Sequence, residues 1–246
     1  MEMKIKLAGL TDVGLKRDNN QDHMLVDEEL SLFIVADGMG GHQGGEVASQ
    51  IAVQTIRTVI KDSFEKEKGV NPHALLQRAY TQASEAIFTK SRENPKLKGM
   101  GTTVVTALYR DKTLYVANVG DSRAYLIFPP YIWQMTEDHS LLNEQIRAGL
   151  VKQENAAFFS AKNVITRSVG FEELVVCDVV ERELQDGDFV LLCSDGLSGL
   201  VSDRRICDVC LTLPFDEVAP RLIEEAKRNG GDDNITVVVI QAKASA

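Results

Sequence analysis

Three apolar runs that are far apart in the chain each adjoin an aspartate. Residues 32–36 precede Asp37, residues 189–194 precede Asp195, and Asp233 comes just before residues 235–240. Short apolar runs rich in β-branched residues predict buried strands. The sequence therefore places a carboxylate at the end of a strand three times, and if these strand ends meet, they form an oxygen-only cluster that needs cations.

A single aspartate of this kind carries little information. Asp-Gly after a strand, as at Asp37-Gly38 and Asp195-Gly196, is by itself an ordinary turn, because Asp tolerates turn geometry and Gly supplies positive φ. The metal interpretation depends on the three runs occurring together with the further polar motifs described below.

The order of strands and helices along the chain predicts an α+β fold. Strands are predicted at 4–10, 23–27, 31–36, 102–109, 113–119, 122–128, 163–168, 175–183, 188–192 and 234–241. Helices are predicted around 47–60, from Pro72 onward, and at 141–150, 204–211 and 215–228, with a glycine-rich loop at 40–45. Hairpin-sized joints at 110–112 and Gly120-Asp121 favour antiparallel pairing. We expect a four-layer α-β-β-α sandwich, with two antiparallel sheets flanked by helix pairs, and a single domain over 1–246.

Composition narrows the classes of partner. The chain has 246 residues and 27 Lys and Arg against 36 Asp and Glu, for a net charge of −9. A binder of phosphate backbones needs clustered basic residues, so we expect no nucleic-acid partner, and the same charge argues against anionic membranes. There is no apolar run near the ~20 residues of a membrane span and no signal-peptide pattern at the start, so we expect a cytoplasmic protein.

The cysteines do not predict a metal or redox site. Cys207 and Cys210 form a lone C-x-x-C within a predicted helix, whereas zinc would want a second pair or nearby histidines. We expect buried, reduced thiols there.

The donor types predict the kind of metal. Asp37, Asp195 and Asp233 are hard oxygen donors, and Asp121 and Asp22 could add two more carboxylates. The chain has four histidines, none at ligand spacing on a helix, which favours Mg²⁺ or Mn²⁺ over zinc. Two such ions lower the pKa of a bridging water and hold phosphoryl oxygens in line for its attack.

Two further residues fit phosphate chemistry. Arg17, in a polar segment just before Asp22, has the guanidinium geometry that grips phosphate oxygens in pairs, although an arbitrary arginine is usually a solvated surface group. His42, five residues after Asp37, could protonate a leaving alkoxide or hold a water that does, or it could be a loop histidine without a role.

Taken together, these residues resemble the metal-dependent Ser/Thr protein phosphatases of type 2C, in the bacterial form. The similarity extends in order over essentially the whole chain. The motifs that carry it are Arg17 with Asn20-Gln21-Asp22, Asp37-Gly38-Met39-Gly40-Gly41-His42, Gly99-Met100-Gly101-Thr102-Thr103, Gly120-Asp121-Ser122-Arg123, Asp138-His139-Ser140, Ile165-Thr166-Arg167, Ser194-Asp195-Gly196-Leu197 and Asp233-Asn234-Ile235-Thr236.

The resemblance implies a metal-binding role for each acidic residue. Asp37 would bridge two Mg²⁺ or Mn²⁺ ions, with the Gly38 carbonyl on one of them. Asp195 and Asp233 would bind the other ion, and Asp22 would act directly or through a water. The doubled acid Asp232-Asp233 leaves either residue possible, but Asp233 fits because it directly precedes Asn234.

The resemblance also implies features around this centre. Asp121, with Asp195, resembles the third-metal site of bacterial members, and Arg17 would hold the substrate phosphate. Residues 143–162 would form a flap that shapes substrate access. Residues 128–133 replace the usual polar hairpin tip with exposed aromatics, which either pack against the flap or bind a partner.

The leading hypothesis is hydrolysis of phosphoserine and phosphothreonine on proteins, with a kinase's substrates as partners and a monomeric enzyme. The alternative is a non-catalytic phosphoprotein-binding module with the same fold, but such a module need not keep a complete acidic set. A binuclear phosphodiesterase or nuclease is disfavoured by the low basic charge.

Overall fold

The computed structural model describes residues 3–159, 161 and 164–244. The strands are β1 (Met3–Asp12), β2 (Asp22–Asp27), β3 (Leu32–Met39), β4 (Gly101–Thr102), β5 (Val104–Arg110), β6 (Thr113–Val119), β7 (Arg123–Phe128), β8 (Tyr131–Gln134), β9 (Asp178–Glu183), β10 (Phe189–Cys193) and β11 (Ile235–Ala244). The helices are α1 (Gly41–Lys66), α2 (Pro72–Glu93), α3 (Leu141–Arg147), α4 (Asp195–Ser198), α5 (Asp203–Thr212) and α6 (Phe215–Arg228), with 3-10 turns at Pro95–Leu97 and Gln153–Phe158.

The strands form two antiparallel sheets. The first has the order β1-β11-β10-β7-β8, and the second has the order β2-β3-β5-β6-β9 with β4 attached to β3. The α+β sandwich predicted from the sequence is thereby confirmed.

Three apolar layers hold the sandwich together. Side chains such as Phe33 and Val190 fill the space between the sheets. A second cluster joins the β2–β9 sheet to α1 and α2, and a third joins the other sheet to α4, α5 and α6. Since helices cover both outer faces, the central strands β3 and β10 are buried on both sides, which explains why they read as continuous apolar runs.

The structure corrects the predicted joint at Gly120-Asp121. Strand β6 pairs with β5 and β9, whereas β7 pairs with β10 and β8, so these two residues carry the chain from one sheet to the other. Gly120 has a φ of +105°, and a Cβ there would lie 2.5 Å from the Thr103 side chain. A short joint alone did not distinguish a hairpin from this crossing.

The predicted glycine-rich loop at 40–45 is also wrong, because α1 begins at Gly41. Gly44 and Gly45 are buried against Met100 and Gly38, and this packing outweighs the low helix propensity of glycine.

Two further differences concern strands. The described part of 163–168 forms only a single bridge from Ile165 to Ser140, and the strand predicted from 175 begins at Asp178. The aromatic segment after Phe128 contributes an edge strand, β8, that the sequence did not predict.

The helices agree with the sequence in part: α3 ends at Arg147 rather than at residue 150, and the short helix α4 at Asp195–Ser198 was not predicted. Helix α6 has the predicted bounds, and α5 carries Cys207 and Cys210, both buried and not joined in a disulfide. No helix in the described part of the chain is long and apolar enough to cross a bilayer.

Candidate active site

A pocket of about 570 Å³ opens at one end of the sandwich, where strands of both sheets stop. Its wall combines residues from the segment after β1, the end of β3, the β6–β7 crossing, the start of α4 and the start of β11. These residues are Lys16, Arg17, Asp18, Asn19, Gln21, Asp37, Gly38, Met39, Gly40, Gly41, Asp121, Ile165, Asp195, Asp233 and Asn234.

The structure brings the five aspartates singled out in the sequence to this place. Asp37, Asp121, Asp195 and Asp233 line the pocket. Asp22 lies beneath them with 4% of its surface exposed, directly opposite Asp37 in the β2–β3 ladder.

Asp22 is fixed by side chains of the opposite sheet. Its Oδ2 accepts hydrogen bonds from Ser194 Oγ at 2.8 Å and Thr236 Oγ1 at 2.6 Å. Its Oδ1 is buried and has no hydrogen-bond partner, and the same holds for Asp195 Oδ1. Buried carboxylate oxygens without partners are costly, so these two atoms are suited to a cation.

The backbone of Asp37 is held by two threonines. Its carbonyl accepts from Thr102 Oγ1 and from the Thr103 amide, each at 2.8 Å, and its amide donates to Thr103 Oγ1 at 3.2 Å. Thr103 Oγ1 also shares a hydrogen bond with Ser122 Oγ at 2.7 Å, beside Asp121. The sequence motif contained both threonines but gave no sign of this role.

The adjacent residues Asp232 and Asp233 lie in different environments. Asp233 lines the pocket, and its Oδ2 accepts from Arg17 Nη2 at 2.6 Å. Asp232 points outward and pairs with Lys16 at 2.5 Å, with 56% of its side chain exposed. The structure thus pairs Arg17, which was expected at the substrate phosphate, with Asp233, which was expected at the metal.

Asn234 attaches the Arg17 segment to the strand that follows. Its Oδ1 accepts from the Gln21 amide at 2.8 Å, while its Nδ2 donates to the carbonyls of Val13 and Asn19 at 2.9 and 3.0 Å. Asn234 is 4% exposed and is a positioning residue that sequence reasoning placed only within a motif.

The first turn of α1 packs directly against Gly38. A Cβ on Gly38 would overlap the Gly45 carbonyl, and a Cβ on Gly45 would lie 2.6 Å from Gly38 O. This contact places the amino end of α1 at the pocket through Gly40 and Gly41, and α1 has no acidic side chain in its first turn. Helix amino ends favour anions, which suits a phosphate group.

Burial and mutual repulsion raise the carboxyl pKa values. Burial raises the pKa of Asp22 and of Asp121 to about 7, with nearby aspartates adding to the effect. The pKa of Asp37 lies well above its usual range because it is buried and faces Asp22 and Asp195. Burial, together with the charge of Asp233, also raises the pKa of Asp195. Several buried aspartates so close together are stable in their ionised form only with a compensating cation.

These residues fit divalent cations by their chemistry, since the donors are all oxygens and two of them are orphaned. Among the residues that the structure describes, no three His, Cys, Asp or Glu side chains already form a ligating group.

Two predictions fall partly outside the described residues. His42 lies in α1, but its side chain is not among the parts described. Residues 160, 162 and 163, around the end of the predicted flap, are likewise outside. Within the described part of 143–162, no residue lines the pocket, whose nearest wall residue on this side is Ile165.

Comparisons with known proteins show the family to which the chain belongs. The model of the family "Protein phosphatase 2C" matches residues 6–235. The serine/threonine phosphatase stp of Listeria monocytogenes serotype 4b is 36% identical over 235 residues, which cover 94% of this chain and 93% of that protein. The serine/threonine protein phosphatase PstP of Mycobacterium tuberculosis is 37% identical over 235 residues, 96% of this chain and 44% of that protein.

Solved structures agree. The crystal structure of Mycobacterium tuberculosis PstP/Ppp has a TM-score of 0.90 at 35% identity and covers 98% of this chain and 99% of that one. The catalytic domain of PstP in complex with two manganese ions has a TM-score of 0.87 at 36% identity, with 99% and 100% of the two chains covered.

Proposed function

Since this chain belongs to the protein phosphatase 2C family and is a metal-dependent serine/threonine phosphatase, we propose that the four aspartates lining the pocket, together with Asp22 beneath them and Arg17, carry its activity. The observation that supports this assignment is that Asp37, Asp121, Asp195 and Asp233 line one pocket and Asp22 is buried beneath them, with two buried carboxylate oxygens left without partners.

Each acidic residue has a proposed place. Asp37 and the Gly38 carbonyl would hold one Mg²⁺ or Mn²⁺ ion, and Asp37 would share a second ion with Asp195 and Asp233. Asp22 supports this pair from below, and Asp121 with Asp195 would hold a third ion. Ions bound there would lower the pKa of water and neutralise the phosphoryl oxygens.

Three further residues, Arg17, Asn234 and His42, act on the substrate rather than on a cation. Arg17 stands at the mouth of the pocket, where its guanidinium can turn from Asp233 to two phosphate oxygens. Asn234 holds the segment that carries Arg17, so that the guanidinium stays within reach. The departing serine or threonine oxygen needs a proton, and His42 is the candidate donor by its position in the sequence.

The substrates that fit this site are phosphorylated proteins, which a Ser/Thr kinase would supply. We propose that the chain acts as a single cytoplasmic domain and as a monomer, with residues 143–162 as a flap that shapes substrate access. The proposal for the flap rests on the family resemblance and on the nearness of Ile165 to the pocket.

Turnover of p-nitrophenyl phosphate and of a phosphothreonine peptide, with Mn²⁺ and with EDTA, tests the assignment. Asp37→Asn should lower kcat at least about a hundredfold, the cost of losing a group that organises transition-state charge. Asp232→Asn is the matched control, because it neutralises a neighbouring acid that pairs outward with Lys16.

Normal turnover by Asp37→Asn would contradict the role given to Asp37. Phosphopeptide binding without turnover in Mn²⁺, by either the native protein or the control, would instead favour a binding module.

A further inference from the structure

His139 binds one side of the Gly120-Asp121 turn, which carries the chain from one sheet to the other. The side chain of His139 is buried, at 7% exposure of the residue. Its backbone amide donates to the Gly120 carbonyl at 2.9 Å, and the Gly120 amide donates to its Nδ1 at 3.0 Å. One residue thus binds both polar groups of the glycine directly before Asp121.

These contacts define the state of the imidazole ring. Because Nδ1 accepts a hydrogen bond, the ring proton is on Nε2, which donates to Asp178 Oδ2 at 3.1 Å. The other oxygen of Asp178 accepts from Arg167 Nη1 at 2.9 Å. His139 is therefore fixed between the turn and the start of β9.

Asp138 grips the other side of the same turn. Its carboxylate accepts from Arg123 Nε at 2.9 Å and Arg123 Nη2 at 2.6 Å, a two-bond pair that is largely buried. Gly120 and Arg123 thus lie on either side of Asp121-Ser122, and the adjacent residues His139 and Asp138 bind them. The positive φ of Gly120 and the short distance from its would-be Cβ to Thr103 leave no room for a side chain at this position.

The same segment also supports the base of the predicted flap. Ser140 Oγ accepts from the Asn143 amide at 3.3 Å and so caps α3. The His139 carbonyl accepts from the Thr166 amide at 2.9 Å, next to the pocket residue Ile165. A displacement of His139 would therefore move the Asp121 turn and the adjoining pocket wall together.

We propose that His139 is a positioning residue that holds the Asp121 turn in register for a third cation and joins it to the base of the flap. This inference rests on the metal role proposed above for Asp121. It assigns His139 no contact with substrate or metal. Its effect reaches the site only through Gly120 and Thr166.

The two nitrogens of His139 can be removed separately. His139→Gln keeps a donor at the Nε2 position for Asp178 but lacks the acceptor that binds the Gly120 amide. His139→Asn keeps an acceptor at the Nδ1 position but lacks the donor. If the hydrogen bond from the Gly120 amide to Nδ1 positions the turn, the Gln variant should weaken Mn²⁺ binding and the Asn variant should largely retain it.

Mn²⁺ binding by isothermal titration calorimetry is the primary readout, with Asp121→Ala as reference. We expect Asp121→Ala to remove the weakest Mn²⁺ site. His139→Gln should weaken that site about tenfold, because a buried amide loses its partner, and should raise the Mn²⁺ concentration for half-maximal turnover. His139→Asn should bind within about threefold of the native protein.

Each result decides between the proposals. Loss of the site in Asp121→Ala but native Mn²⁺ affinity in His139→Gln would overturn the role of His139 and leave that of Asp121 intact. Unchanged binding in Asp121→Ala would overturn both. Equal losses in the Gln and Asn variants would show general loosening and contradict the proposal.

A second variant covers failure of His139→Gln to fold, as judged by thermal melting. Asp138→Asn weakens the grip on Arg123 without altering His139, and it should weaken the same Mn²⁺ site. Native affinity in a folded Asp138→Asn protein would then overturn the positioning of Asp121 by this segment.

Discussion

At the scale of single residues, Arg17 and a cation compete for the carboxylate of Asp233. Its carboxylate is paired with Arg17, although the family pattern gives one group to a cation and the other to the substrate phosphate. Arg17 and Asp233 are 52% and 35% exposed at the side chain, so their pair contributes little to stability. The pairing is consistent with exchange of partners when cations and phosphate enter.

Arg17→Ala should raise KM for phosphate monoesters about tenfold or more, because a two-bond, charge-assisted contact with phosphate is lost. The melting temperature should hardly change, since the ion pair is exposed. Steady-state kinetics and thermal melting measure the two quantities.

Arg228→Ala is the matched control, because it removes an exposed arginine that pairs with Glu224 on α6. A drop in melting temperature for Arg17→Ala that exceeds this control, without a change in KM, would make Arg17 a structural residue.

The sequence could identify the acidic residues but not their partners. Asp37, Asp195 and Asp233 were recognisable because each adjoins a buried strand. The hydroxyl groups of Ser194 and Thr236 were not, since they meet Asp22 from positions 172 and 214 residues away. Only the fold brings such distant groups together.

At the scale of elements, the seat of α1 on β3 fixes one side of the pocket. The contact of Gly45 with Gly38 leaves no room for a side chain on either residue, and Gly38 supplies the carbonyl assigned to a cation. Helix α1 and strand β3 can therefore approach this closely only because both residues carry a hydrogen atom in place of a side chain.

Gly45→Ala should destabilise the protein by about 1–3 kcal/mol through overpacking and should lower kcat/KM by displacing the Gly38 carbonyl. Chemical denaturation and phosphopeptide kinetics measure these effects. Gln43→Ala, at an exposed position of the same helix turn, should be close to native in both. Native kcat/KM in a clearly destabilised Gly45→Ala protein would separate this contact from the active site.

Element types were easier to predict from the sequence than element partners. Amphipathic spacing identified α6 within its bounds, because a one-sided helix shows its period locally. The crossing at Gly120-Asp121 was misjudged as a hairpin, because a two-residue joint looks the same whether its strands pair or lie in separate sheets. Edge strand β8 is short and half exposed and gave no strong period.

At the scale of the whole molecule, the carboxyl pKa values link stability to pH and metal. Burial raises the pKa of Asp22 from 3.8 to about 7, so the folded protein without cations keeps a proton that the unfolded chain has already released. The free energy of unfolding should therefore fall as the pH rises through this interval.

In EDTA, Asp22→Asn should be more stable than the native protein, by on the order of 4 kcal/mol at pH 8 and by on the order of 1–2 kcal/mol at pH 5, because the unfolded carboxyl is already ionised above its pKa of 3.8. The amide is a neutral substitute that can accept the bonds of Ser194 and Thr236. Urea denaturation at the two pH values measures the difference.

Mn²⁺ at pH 8 should stabilise the native protein more than Asp22→Asn, because the cation compensates the ionised carboxylate. Asp232→Asn, at an exposed position, should follow the native protein throughout. A native protein in EDTA that is equally stable at pH 5 and pH 8, with Asp22→Asn unchanged beside it, would contradict a protonated Asp22.

The placement of Asp233 directly before β11 has a consequence for biosynthesis. Strand β11 pairs on both sides, with β1 and with β10, although it follows every other described strand in the chain. A nascent chain that has emerged only through α6 already contains Asp22, Asp37, Asp121 and Asp195, yet it has no Asp233 and no Thr236 beneath Asp22. The candidate site is therefore complete only once β11 has paired between β1 and β10.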